Sequence, residues 1–211
     1  MEIKVFEFNP FAENTYVLSD SNGHTIIIDP GCYEEYECTE LNDYISKLNL
    51  TVLAIVNTHC HIDHVLGNEA MKTKYNVDLW VPENEKSVLL AIPSYAPNYG
   101  FADYRESEVS HWFNQGILTF GNLKLKAIEV PGHSPGHMVL YSEENKVLIG
   151  GDVLFRGSIG RTDLPGGNHD QLLKNIKEKV YTLPDEVVVY PGHGPETTIG
   201  FEKKHNPFVR A

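Results

Sequence analysis

The stretch Thr58-His59-Cys60-His61-Ile62-Asp63-His64 packs four metal-ligating side chains into seven residues. Imidazole and carboxylate suit borderline cations such as zinc, manganese or iron. On an extended backbone, side chains two residues apart point the same way, so His59 and His61 can converge on one ion. Asp63 and His64, read as the start of a helix, can turn toward a neighbouring point, so one segment can serve two adjacent metal positions. A similar local pattern recurs downstream. Apolar strands run into Pro131-Gly132-His133, into Gly150-Gly151-Asp152 and into Pro191-Gly192-His193. Strand ends hold ligands rigidly, and the glycines allow sharp turns beside them. The candidate ligands are therefore His59, His61, Asp63, His64, His133, Asp152 and His193.

One buried histidine taken alone is more often a hydrogen-bonded core residue than a ligand. The density of His-x-His-x-Asp-His, joined to three further ligands at strand ends, argues for metal. Cys60, between two ligands on extended backbone, should point away from them into the core. His24, His111, His169 and His205 read as surface residues, the first beside a turn, the next two in loops and the last near the terminus. His137, four residues after His133, reads as structural.

The elements that must carry these residues follow from hydropathy. Thr15–Ser19 and Thr25–Ile28 flank Asn22-Gly23 and read as a hairpin. Leu41, Tyr44, Ile45 and Leu48 recur at helical spacing between about Glu34 and Leu50. Val52–Val56 is an apolar, β-branched run suited to a strand covered on both faces, and the histidine cluster begins where it stops. Helices are expected over Asp63–Lys74 and after Asp170 as a cap, with strands at Leu123–Val130, Met138–Tyr141, Val147–Ile149 and Val187–Tyr190. Between Pro93 and Gly116 periodicity dissolves into a segment rich in tyrosine, phenylalanine and tryptophan, read as a surface connection packed by its own aromatics.

Length and charge bound the rest. The 211 residues suit one domain spanning 1–211. With 17 Lys and Arg against 29 Asp and Glu, the net charge of −12 repels a phosphate backbone, so no nucleic-acid partner is expected. The alternating amino terminus is unlike a signal peptide, no stretch reaches membrane-spanning length, and three cysteines do not make a disulfide framework. A cytoplasmic protein with neither membrane nor nucleic-acid partner is the expectation.

At Thr58–His64, Pro131-Gly132-His133-Ser134-Pro135-Gly136-His137, Gly150-Gly151-Asp152 and Gly192-His193-Gly194 the sequence resembles the metallo-β-lactamase superfamily, and within it the short glyoxalase II-like branch. Asp29, in Ile28-Asp29-Pro30-Gly31, matches the superfamily's first, non-ligand aspartate. The resemblance implies an α+β fold, a four-layer αββα sandwich of two mixed sheets covered by helices. It implies His59, His61 and His133 on one metal, Asp63, His64 and His193 on the second, and Asp152 bridging. Two divalent ions are expected, zinc first, with iron or manganese as alternatives.

Paired cations would lower the pKa of a shared water, making a bridging hydroxide available near neutral pH. Asp63 and Asp152 are the catalytic candidates, Asp63 as an orienter of the nucleophile. A small thioester suits such a site, since a thiol of pKa about 8.5 leaves without a strong general acid. The resemblance points to glutathione thioesters. Yet only 211 − 193 = 18 residues follow His193, which leaves no room for the helical domain that completes the glutathione pocket in longer relatives. Arg161, in Gly160-Arg161-Thr162-Asp163, could grip a substrate carboxylate or hold its own loop through Asp163, two readings of equal weight. That same stretch resembles mononuclear-iron persulfide dioxygenases, the leading rival. Hydrolysis of other small esters, lactones or β-lactams is a further alternative.

Overall fold

The computed structural model describes residues 1–210. The hairpin forms as expected, and a third strand precedes it. β1 (Glu2–Phe8) pairs antiparallel with β2 (Glu13–Ser19), which pairs antiparallel with β3 (His24–Ile28). Asp20 builds the turn, its Oδ1 accepting from the backbone of Asn22 and of His24. α1 (Glu35–Lys47) buries Leu41 and Ile45, and the Glu37 carboxylate reaches back to the Glu34 N–H at 3.0 Å in a capping box.

The apolar run becomes β4 (Thr51–Val56), parallel to β3. Then come α2 (Asn68–Tyr75), β5 (Asp78–Pro82), α3 (Lys86–Tyr95), β6 (His111–Phe113), β7 (Gly116–Phe120), β8 (Leu123–Glu129), β9 (Met138–Ser142) and β10 (Val147–Gly151). The chain closes with the short β11 (Leu154–Phe155) and β12 (Ser158–Ile159), α4 (His169–Asn175), β13 (Val188–Pro191), β14 (Thr197–Thr198) and α5 (Ile199–His205). One sheet runs β1-β2-β3-β4-β5-β6 and another β14-β13-β10-β9-β8-β7, with β11 and β12 a separate hairpin. Both six-stranded sheets are mixed: β3 to β6 are mutually parallel, as are β10 and β13, and other pairings, such as β1 with β2 and β8 with β9, are antiparallel. The architecture is α+β.

The chain divides into two compact units, Met1–Phe113 with Thr119–Leu123, and Asn114–Leu118 with the chain from Lys124 onward. The first has a core of Ile27, Leu41, Ile55, Met71, Leu79 and Val81. The second packs Leu148 and Val189 of its sheet with Leu172, Ile176 and Ile199. Each such side chain, once buried, contributes about 1.5–3 kcal/mol against unfolding. Among the described residues no helix is long and apolar enough to cross a membrane.

Four local expectations change. The helix expected from Asp63 begins at Asn68, preceded by a 3₁₀ turn over Ile62–His64. The cause is Gly67, whose N–H is taken by the Pro30 carbonyl at 2.7 Å, pinning the chain before the helix can start. Asn168 rather than Asp170 caps α4, its Oδ1 accepting from the Gln171 N–H at 3.0 Å. His111 and His169 lie in elements, not loops: His111 is in β6 with Nε2 2.9 Å from Asp78, and His169 opens α4. The aromatic segment is partly helical, and Phe101 is buried edge-on to Tyr33 at 4.9 Å.

Candidate metal centre

Within the first unit the histidine cluster leaves β4 on extended backbone, with His61 at φ −67° and ψ 152°. The His59 and His61 rings lie 4.9 Å apart and nearly perpendicular, so the two-residue alternation brings both to one side. Cys60 points the other way and is fully buried in the core. Its backbone N–H donates to the buried Glu85 carboxylate at 2.9 Å, and burial pushes its thiol well above the usual range. The 3₁₀ turn brings His64 to 4.2 Å from His59 between ring centroids, and puts His64 Nε2 3.6 Å from Asp63 Oδ2.

Asp29 organises this cluster from beneath. Oδ1 accepts the Thr58 N–H at 2.7 Å, while Oδ2 accepts the Thr58 hydroxyl at 2.6 Å and faces His64 Nδ1 at 3.2 Å. Thr58 Oγ1, its proton committed to Asp29, accepts from His59 Nδ1 at 3.1 Å. Both imidazoles thus spend Nδ1–H on an acceptor and keep Nε2 for a ligand role, the usual arrangement of metal-bound histidine. Asp29 adopts φ +48°, a left-handed conformation that aspartate tolerates better than most residues.

In the second unit, His133 follows β8, Asp152 follows β10 and His193 follows β13. The pairing of β10 with β13 shifts register between Ile149 and Gly151, a bulge that re-aims the chain immediately before Asp152. Asp152 Oδ2 lies 3.5 Å from His133 Nε2 and 3.5 Å from His193 Nε2. These spacings exceed a strong hydrogen bond. They match the separation of about 3.3–3.4 Å between neighbouring ligands of a tetrahedral ion held at about 2.0–2.1 Å. The Asp63 and His64 spacing in the first unit is of the same kind, so the donor set fits metal. His133 Nδ1 donates to the Arg161 carbonyl at 2.7 Å, again leaving Nε2 for a ligand role.

The loop that carries His133 is clamped to α4. Asn168 N–H donates to the Gly132 carbonyl at 2.7 Å and Asn175 Nδ2 to the Pro131 carbonyl at 2.8 Å. Gly132, at φ +137°, leaves no space for a side chain: a Cβ there would lie 2.5 Å from the Leu172 nitrogen. Gly160 is equally tight, since its Cβ would stand 1.9 Å from the Asp152 carbonyl and 3.2 Å from His133 Nδ1. Gly160→Ala should therefore cost about 3 kcal/mol in denaturant unfolding and lower the metal content. An unchanged midpoint and full metal loading would contradict that packing.

Two further buried residues support the site: His137, in the structural role its spacing suggested, and Glu13, which no motif marks. His137 Nε2 accepts the Asp152 N–H at 2.9 Å, so its lone pair is committed to the backbone of a candidate ligand. Glu13 in β2 is wholly buried, takes the Thr15 hydroxyl at 2.9 Å and stands 3.7 Å from His64 Nδ1. Burial pushes its carboxyl well above the usual carboxylate range, partly opposed by His64. Arg161 is exposed, and its guanidinium holds Asp163 through Nε at 2.7 Å and Nη2 at 2.8 Å. Those hydrogen bonds pull the Asp163 carboxyl down to about 2. His24 pairs with Asp20 beside its turn, and His205 closes α5.

Residues 8–193 match the family described as the metallo-beta-lactamase superfamily. The chain is 35% identical to the hydroxyacylglutathione hydrolase GloC of Haemophilus influenzae, covering 100% of this chain and 99% of that one. Among solved structures, the BLEG-1 B3 metallo-beta-lactamase superposes with a TM-score of 0.88 at 34% identity, covering 100% of both chains. TTHA1623, solved in a di-iron-bound form, gives 0.87 at 33% identity over 98% of this chain and 100% of that one.

Proposed function

We propose that this chain, which belongs to the metallo-beta-lactamase superfamily and is a metal-dependent hydrolase of it, cleaves small thioesters of the hydroxyacyl-thiol type. The observation that carries the proposal is the Asp152 carboxylate set at 3.5 Å from two imidazoles, where a bridging ligand would stand. Full-length similarity to a hydroxyacylglutathione hydrolase supports the thioester. In this reading both units form one catalytic domain. His59, His61 and His133 would hold one ion, Asp63, His64 and His193 would hold a second, and Asp152 would serve both, with zinc the first choice of metal.

When bound, the paired ions supply a nucleophilic water at neutral pH and polarise the thioester carbonyl. The chain's own groups do the rest. Asp63 accepts a hydrogen from the attacking water and fixes its direction. Asp29 and Thr58 hold His59 and His64 in the tautomer that leaves Nε2 for metal. No side chain need protonate the leaving thiolate, whose conjugate acid has a pKa of about 8.5.

Arg161 is the proposed contact for a substrate carboxylate, which must displace Asp163 from the guanidinium fork. That competition keeps the gain small. Arg161→Ala should raise KM for anionic thioesters by about 3- to 10-fold and leave neutral ones nearly unchanged. Equal effects on both would rule out charge recognition.

The deciding test is metal quantification on protein purified without added metal, followed by a panel of thioesters, oxygen esters, lactones and β-lactams. Two ions per chain with thioesters the best substrates is the expected result. The rival carried by Gly160-Arg161-Thr162-Asp163 is a persulfide dioxygenase. One iron per chain with rapid oxygen uptake on glutathione persulfide would overturn hydrolysis in its favour.

A further inference from the structure

Beside Asp63 the first unit carries a patch of aromatic rings that the fold leaves half open. Phe11, in the loop between β1 and β2, is 41% exposed, and Tyr99, in the 3₁₀ turn that follows α3, is 52% exposed. Their ring centroids lie 6.2 Å apart. Phe11 also stands 6.0 Å from the buried Phe101, and Tyr99 stands 5.7 Å from Tyr95 at the end of α3. Rings that touch one another and still face water present apolar area that a ligand can cover.

The patch is joined to Asp63 from two directions. From the β1–β2 loop, Asn9 Nδ2 donates to the Asp63 carbonyl and to the Gly31 carbonyl, each at 3.0 Å, while Asn9 Oδ1 accepts the Phe11 N–H at 3.0 Å. The Asn9 N–H is itself taken by the Glu37 carboxylate at 2.7 Å. From α3, burial and then the neighbouring Asp63 carboxylate push the Tyr95 hydroxyl up to about 12. Phe101 is fixed by Tyr33, edge-on at 4.9 Å, whose hydroxyl accepts the Asp103 N–H at 3.0 Å. The rings are therefore held in place before any ligand arrives, which reduces the ordering cost of binding.

We infer that Phe11 and Tyr99 form a recognition surface for an apolar, ring-sized group of the substrate, seated beside Asp63. The inference rests on the thioester reading and adds a substrate class to it: hydroxyacyl thioesters that carry an aromatic or similarly bulky apolar group on the acyl or the thiol half. A methyl-sized group covers little of two rings, whereas a phenyl group can lie against both, and the gain grows with the apolar area removed from water. Aromatic partners add edge-to-face or offset contacts to that gain.

The test uses the purified full-length chain loaded with zinc and two matched pairs of thioesters. One pair changes the acyl group, lactoyl against mandeloyl on N-acetylcysteamine. The other changes the thiol, N-acetylcysteamine against benzyl mercaptan under a lactoyl group. Phe11→Ala and Tyr99→Ala should each lower the preference for the ring-bearing member, as a ratio of kcat/KM within one pair, by about 10-fold and through KM. The pair that responds tells which half of the substrate meets the patch. Tyr99→Phe keeps the ring and should keep the wild-type ratio. Unchanged ratios in both pairs would overturn the inference while leaving thioester hydrolysis intact. A wild-type chain that cleaves none of the four would overturn the hydrolytic reading instead, and binding of the uncleavable thioether S-benzyl-N-acetylcysteamine, followed by saturation-transfer NMR, then decides for the patch. Weaker binding in Phe11→Ala would support the surface, and undiminished binding would refute it.

Discussion

In Asp152→Ala, hydrolysis of the best thioester substrate should fall by roughly 10³-fold or more, about 4 kcal/mol of transition-state stabilisation, with bound metal reduced in parallel. The reason is placement. A single carboxylate oxygen stands 3.5 Å from His133 and from His193, and alanine removes the one candidate ligand atom that faces both imidazoles. The fold should survive. The backbone N–H that His137 accepts is unchanged by the substitution, and the carboxylate itself is not part of the apolar core. Circular dichroism and a thermal melt would show a folded protein, and His59→Ala should behave alike. Full activity in purified Asp152→Ala would refute the bridging role.

Asp29→Ala should have the largest effect on stability, lowering the unfolding free energy of metal-free protein by about 3–5 kcal/mol. It strands the Thr58 N–H and hydroxyl in a fully buried setting and removes the acceptor from His64 Nδ1. Alanine at φ +48° adds about 1 kcal/mol of backbone cost. Asp29→Gly removes that second contribution and should be the milder change, which separates backbone strain from lost hydrogen bonds. Metal affinity should drop by about 10- to 100-fold in both, because the histidines lose their orienting partner. Urea unfolding with and without chelator measures the two effects. A loss below about 1 kcal/mol would mean that Asp29 is not the organiser its bonds suggest.

The candidate ligands were legible because their geometry is local. His59 and His61 share a face by simple alternation, and the other clusters sit where apolar runs end. What escaped was set by distant partners. β1 alternates charge and apolar character but exposes its glutamates and lysine at the sheet edge, and β5 is a five-residue strand ending in proline; their partners, β2 and β4, settle both. Glu13 carries no motif in the sequence, yet β2 is buried along its whole length, and its carboxylate stands 3.7 Å from His64 Nδ1. His137 could not be assigned to the Asp152 backbone before the fold joined them. Asn168 displaced Asp170 as a cap because the Gly132 carbonyl holds its N–H in an extended conformation.

The clamp between α4 and Pro131-Gly132 ties calorimetry of the helix to chemistry at His133. Two asparagines and a side-chain-free glycine make the ligand loop and the helix one cooperative block, so temperature and a chelator act on the same equilibrium. A substitution on the buried face of α4, far from any substrate, should therefore be read first as a loss of ion retention on warming, before any change in catalytic constants at low temperature.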